Sequence, residues 1–181
     1  MQRDQPYVFM ANHASSLDIW SLFVAIPRPV RMIAKKQLAR IPLFGWAMWA
    51  GRFIFIDRQN AVKARRSIEE AGRRIHGGDS VLIFPAGTRT RDGQLGVFKK
   101  GGFHLAIQAG VPIVPVALQG ARALMPRGSL LVRAGQVRVI MGEPIPTAGL
   151  TDQDRGALLD RVRGQIAAML DQEAGPASVS R

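Results

Sequence analysis

His13 and Asp18 stand in the string Asn12-His13-Ala14-Ser15-Ser16-Leu17-Asp18, and their types and His-x4-Asp spacing suit proton transfer. If the intervening loop folds back, the carboxylate accepts a hydrogen bond from one imidazole nitrogen and fixes the tautomer. The other nitrogen is then available to take a proton from a hydroxyl. A plainer role is open to both residues: an acid in a first helical turn favours the helix dipole, and a loop histidine can bond to backbone. A second string, Phe84-Pro85-Ala86-Gly87-Thr88-Arg89-Thr90, offers a glycine for close backbone approach, a hydroxyl at Thr88 and a guanidinium fork at Arg89 that suits phosphate. Taken alone it is a turn with a solvated arginine. A third string, Gly51 to Arg58, closes a short apolar run with Asp57-Arg58. In a fourth, Val111-Pro112-Ile113-Val114-Pro115-Val116, Pro115 lacks a backbone donor, which predicts an edge or locally irregular strand.

These strings lie where short β-branched or aromatic runs give way to helical patterns, the mark of an α/β chain. The expected strands are Tyr7–Ala11, Val30–Ala34, Phe53–Ile56, Val81–Phe84, Ile113–Leu118 and Val137–Met141. The expected helices begin near Ser16, capped by Ser15 or Ser16, and then cover Leu43–Ala50, Asn60–Ile75, Phe103–Ala109 and Thr151–Asp171. Gly77-Gly78 and Gly110 end the third and fourth of these helices. The last helix carries Leu158, Leu159, Val162, Ile166 and Leu170 on a stripe expected to cover the sheet. A single domain over 1–174 follows, with a mixed, mostly parallel sheet flanked by helices, and 175–181 as a flexible tail.

The 181 residues carry 25 Lys+Arg against 13 Asp+Glu, a net charge of +12, and no cysteine. Cysteine-based catalysis, disulfides and Cys metal sites are excluded. His104 has no second ligand at metal spacing, so no metal is expected. His76, beside Gly77-Gly78, is expected to end a helix. Positive charge favours a polyanionic partner. Nucleic acid is not expected, because no helix-turn-helix, zinc knuckle or ribonucleoprotein motif occurs. Between Lys35 and Trp49, cations stand beside Phe44, Trp46 and Trp49. Those rings either sit at lipid headgroups or share a buried helix face.

In this order and spacing, the four strings resemble the four sequence blocks of the glycerolipid acyltransferase family, which includes the 1-acylglycerol-3-phosphate (lysophosphatidic acid) acyltransferases. The resemblance runs from Tyr7 to Leu118. It implies a glycerol-3-phosphate acyltransferase-like fold and transfer of a fatty acyl group to a glycerol hydroxyl, with His13 as general base oriented by Asp18. It assigns Lys35, Arg58, Gly87, Thr88 and Arg89 to the substrate, chiefly its phosphate, and the fourth block to the acyl donor or chain. No cofactor is implied; acyl-CoA or acyl carrier protein is the co-substrate, and the enzyme acts at the cytoplasmic face of an anionic membrane, peripheral or monotopic. The chain lacks cysteine and a Gly-x-Ser-x-Gly elbow, so direct transfer is favoured over an acyl-enzyme. One departure stands out: Ala86 occupies the place where the family commonly has glutamate. It implies reduced or altered activity and leaves open a different acceptor, glycerol 3-phosphate or a lyso-aminolipid; the +12 charge leaves open a non-catalytic basic lipid or nucleic-acid binder.

Overall fold

The computed structural model describes residues 2, 4–56, 61–90, 93–129 and 131–172. Six strands, β1 (Val8–Ala11), β2 (Val30–Lys35), β3 (Ile54–Ile56), β4 (Ser80–Ile83), β5 (Ile113–Gln119) and β6 (Arg138–Met141), form one sheet in the order β3-β2-β4-β1-β5-β6. All neighbours are parallel except β5 and β6. The helices are α1 (Leu17–Ala25), α2 (Phe44–Ala50), α3 (Ala61–His76), α4 (Gly101–Ala109), α5 (Ala121–Leu124) and α6 (Arg155–Asp171). The fold is the single-domain, mostly parallel α/β architecture expected from the sequence. The expected tail at 175–181 lies outside the described residues.

Alternation along the strands builds two cores. Phe9 lies level with Leu82 and Val114, and these three are fully buried on the face covered by Leu22 of α1. Val8 lies level with Val81 and Ile113 and packs on the opposite face beneath Ile75, Phe103 and Val162 of α3, α4 and α6. Each fully buried Leu, Val, Ile or Phe side chain stabilises the fold by roughly 1.5–3 kcal/mol. In α6 the stripe of Leu158, Val162, Ile166 and Met169 is buried, with Leu159 and Leu170 packed beside it. Three helices, two of them long, therefore cover one face, while the other has α1 and the short α2. That asymmetry leaves room for a groove.

Several boundaries differ from expectation. α6 starts at Arg155 rather than Thr151, because the Thr151 N–H and hydroxyl both donate to Asp154 Oδ2 at 2.8 Å and turn the chain first. α4 begins at Gly101. The turn of 3-10 helix at Lys36–Arg40 and the four-residue α5 carry too little periodicity to be read from sequence. The strand containing Pro115 is not an edge: β5 lies between β1 and β6. Pro115 is tolerated because its carbonyl accepts from Gly142 N–H at 2.8 Å, just beyond the end of β6. The missing donor falls at an irregular step between the end of β6 and the Ile113–Ile145 bridge, so the locally irregular alternative holds.

Candidate active site

Parallel strands place their C-terminal ends along one edge, and the loops leaving β1, β2 and β4 meet there. Asn12 fixes where the β1 loop departs. Its amide donates to the Leu118 carbonyl at 2.9 Å and its Oδ1 accepts from Leu118 N–H at 2.7 Å, so β1 and β5 are pinned side by side. The chain then wraps around a single carboxylate oxygen. Asp18 Oδ2 accepts from the N–H groups of Ala14 and Ser15, at 2.7 and 2.8 Å, and lies 2.9 Å from His13 Nδ1. Asp18 is 1% exposed. With two backbone donors aimed at it, the carboxylate is held as an acceptor, and Nδ1–H of the ring completes the set. Nε2 is the nitrogen left for chemistry.

The ring is held on its flat side as well. It stacks on Phe84 with centroids 4.0 Å apart and planes 12° from parallel, so the last apolar residue after β4 is a wall for His13. The Phe84-Pro85-Ala86-Gly87 turn closes through Gly87 N–H to the Phe84 carbonyl at 2.9 Å. Proline at the second position favours such a turn, and Gly87 has φ +76, which only glycine adopts without strain. Beyond the turn, Thr90 N–H donates to the His13 carbonyl at 2.9 Å, and Arg89 donates to Ser16 Oγ at 2.6 Å. The two loops are thus bonded into one unit.

A groove of about 800 Å³ opens beside this unit and runs along β2 on the thinly covered face. Its wall includes Val30, Met32 and Ala34 of β2, with Phe53 and Phe84. At the strand-end edge it is lined by His13, Lys35, Gly87, Thr88 and Arg89. Five of the seven residues singled out from sequence thus share one cavity. Asp18 is buried behind His13, and Arg58 lies outside the described residues. An apolar trough with cations and one aimed imidazole at its mouth can hold a long hydrocarbon chain while fixing a phosphate beside a base.

A family model described as Acyltransferase matches residues 1–119. The chain belongs to the acyltransferase family. It is 39% identical over 160 residues to human 1-acyl-sn-glycerol-3-phosphate acyltransferase alpha, covering 88% of this chain and 56% of that protein. It is 37% identical over 171 residues to a 1-acyl-sn-glycerol-3-phosphate acyltransferase of Chlamydomonas reinhardtii, covering 94% and 50%. The crystal structure of the 1-acyl-sn-glycerophosphate (LPA) acyltransferase PlsC from Thermotoga maritima has the same fold, with a TM-score of 0.76 at 28% identity over 97% of this chain and 70% of that one. The chain spans about half the length of the curated relatives it matches.

Other features of this acyltransferase-family chain escape a motif reading. Phe84 stood in a quoted string with no role; its signal was an aromatic at a strand end beside the turn. Ser16, expected as a cap, makes no side-chain cap bond and instead accepts from Arg89. Arg127 lines the groove although it lies beyond all four strings. Trp46 and Trp49 are 71% and 79% exposed, which excludes the buried-face alternative, and α1 adds Trp20 at 67% and Val24 at 88%. His104 does find a carboxylate, Asp152 Oδ1 at 2.7 Å, and this pair ties α4 to the turn before α6. Among the described residues no three His, Cys, Asp or Glu side chains gather as metal ligands. His76 ends α3, donating from Nδ1 to the Gly72 carbonyl at 2.8 Å. Among the described residues, no helix is long and apolar enough to cross a membrane.

Proposed function

We propose that this chain transfers a fatty acyl group from an acyl thioester to the free hydroxyl of lysophosphatidic acid, giving phosphatidic acid. The observation that carries the reading is the 2.9 Å His13–Asp18 contact at the mouth of a groove that Lys35 and Arg89 also line. His13 Nε2 takes the proton of the acceptor hydroxyl as its oxygen attacks the thioester carbonyl. The tetrahedral intermediate collapses with cleavage of the carbon–sulfur bond, and the imidazolium returns its proton to the leaving thiolate. Asp18 keeps the ring in the tautomer that presents Nε2 and stabilises the imidazolium between the two steps. Lys35 and Arg89, with Arg58, Gly87 and Thr88, serve the acceptor's phosphate. The donor is acyl-CoA or acyl carrier protein, and the apolar trough receives acyl chain. The names of the relatives support the same acceptor.

Such a substrate lies in a bilayer, so the reading includes docking on an anionic membrane surface at the cytoplasmic face. Exposed Trp20, Val24, Trp46 and Trp49 support this, since tryptophan favours the headgroup region. Lys36, Arg40 and Arg52, exposed beside α2 in the chain, complement an anionic surface.

The deciding experiment is acylation of lysophosphatidic acid by the purified chain with a labelled acyl-CoA, with His13→Ala as control. Product formation that falls about 10²- to 10⁴-fold in the variant supports the mechanism; retention of most activity removes it. A second acceptor remains in view because of Ala86. Its methyl packs against the core and does not line the groove, but it directly precedes groove-lining Gly87, at the position where the family has the longer glutamate. Glycerol 3-phosphate and a lyso-aminolipid belong in the same assay, and a higher kcat/KM for either would reassign the acceptor.

A further inference from the structure

The geometry points to Arg127 as a further phosphate-binding residue, one that helps select a phosphorylated acceptor. This rests on the acyl-transfer reading above. Arg127 lies outside the resemblance that ends at Leu118, and nothing in its local sequence marks it. What presents it is a tight turn, Pro126-Arg127-Gly128-Ser129, closed by Ser129 N–H to the Pro126 carbonyl at 3.1 Å. Gly128 has φ +90, the conformation a type II turn needs at its third position. Arg127 is therefore at the corner of the turn, its side chain projecting from a fixed point.

Two contacts dock that turn onto the active-site loops, and a third braces its far side. Ser15 Oγ donates to the Met125 carbonyl at 2.7 Å, so the His13–Asp18 loop itself holds the segment. Arg127 donates to the Arg89 carbonyl at 3.2 Å, which sets its guanidinium against the backbone of the β4 loop. Leu124 accepts from Arg133 N–H at 2.9 Å and anchors the far side. The result is that Arg127 lines the groove together with His13, Lys35 and Arg89. Arg89 has one guanidinium nitrogen bound to Ser16, and Arg127 has one bound to Arg89; each keeps further N–H donors. A phosphate monoester carries more oxygens than one such cation satisfies, and a second guanidinium lining the same groove supplies further donors for a dianion. The acceptor is assigned this phosphate, rather than the donor, because Arg127 sits one hydrogen bond from Arg89, which itself touches the loop of the base.

Arg122 supplies an internal comparison. It lines a neighbouring cavity of about 400 Å³ with Arg127, Pro126 and Gly128, but it does not line the groove. Removing either arginine changes the net charge equally, and only one should affect the acceptor.

The test measures KM and kcat for lysophosphatidic acid, for a monoacylglycerol lacking phosphate, and for acyl-CoA in the native chain and in Arg127→Ala, Arg127→Lys and Arg122→Ala. Titration of lysophosphatidic acid and of monoacylglycerol into each protein by calorimetry gives a readout that needs no turnover. Arg127→Ala is expected to raise KM and Kd for lysophosphatidic acid about tenfold or more, the scale of one hydrogen bond to a charged group. Values for monoacylglycerol and acyl-CoA should stay constant, Arg127→Lys should recover part of the loss, and Arg122→Ala should match the native chain. An unchanged acceptor KM and Kd, a rise in the acyl-CoA KM instead, a fall in kcat alone, or equal losses in both alanine variants overturns the assignment. Arg127-dependent binding of lysophosphatidic acid without any acylation keeps this phosphate site and overturns acyl transfer; acylation indifferent to Arg127 does the reverse.

Discussion

Asp18 shows how one buried atom can organise a site. Its Oδ2 gathers two backbone donors and the His13 ring, and unsatisfied buried donors cost about 1–3 kcal/mol each, so the loop geometry and the ring orientation stand or fall together. That the two side chains could meet was legible from their spacing at the start of a helix. The stacking of Phe84 on the ring was not, because it depends on β4 lying directly beside β1. Ala86 is the residue where sequence and site disagree most. A glutamate there would add an acceptor for the substrate hydroxyl or a partner for a neighbouring cation. Ala86→Glu is therefore expected to raise acyl transfer to lysophosphatidic acid about tenfold, the scale of one charge-assisted hydrogen bond. Steady-state rates of the two proteins decide this, and equal rates count against the assigned role of that position.

At the scale of elements, the loops are positioned by a few bonds between strand ends. The two bonds from Asn12 to Leu118 join β1 and β5 where both leave the sheet, and Leu118 is buried. Asn12→Ala leaves a buried N–H and carbonyl unpaired and is expected to lower stability by about 2–4 kcal/mol, measurable by urea unfolding. The start of α6 offers a pH-dependent counterpart. The Thr151 backbone N–H, then the Thr151 hydroxyl, holds the exposed Asp154 carboxyl below its ordinary value. Hydrogen bonding from His104 does the same for Asp152. A carboxyl whose folded pKa is depressed stabilises the fold above its unfolded value and loses that contribution as pH falls through the folded one. The melting temperature of Asp154→Asn should thus lie below that of the native chain near neutrality, and the gap should close as pH drops below the ordinary 3.8. A gap that persists in acid would assign the effect to packing. Strand identities were legible from short apolar, β-branched runs, buried on both faces in β1 and β4, and helix identities from apolar spacing that is clearest in α3. The short elements at Lys36–Arg40 and Ala121–Leu124 were hidden, since one turn carries no period.

Taken whole, the molecule pairs a net charge of +12 with exposed tryptophans on α1 and α2, and the two act over different ranges. Attraction between exposed charges is screened within about 10 Å at 0.1 M salt and about 3 Å at 1 M, whereas ring insertion is far less sensitive to salt. Binding to anionic vesicles in a flotation assay should weaken as salt rises, leaving a residual fraction that the Trp46→Ser/Trp49→Ser double variant lacks. Loss of all binding in salt, with no difference between the folded proteins, would leave charge as the whole attraction. The sequence by itself determined the α/β class, the succession of the longer strands and helices along the chain, and a His13–Asp18 spacing that lets the two side chains meet. These follow from local periodicity and from residues close together in the chain. Tertiary structure alone decided that Trp46 and Trp49 face outward, that Pro115 sits inside the sheet, and that Lys35, Arg89 and Arg127 share one groove with His13. Burial and convergence are properties of strand order. Strand order is set by which faces pack together over long separations, and no window of the sequence contains it.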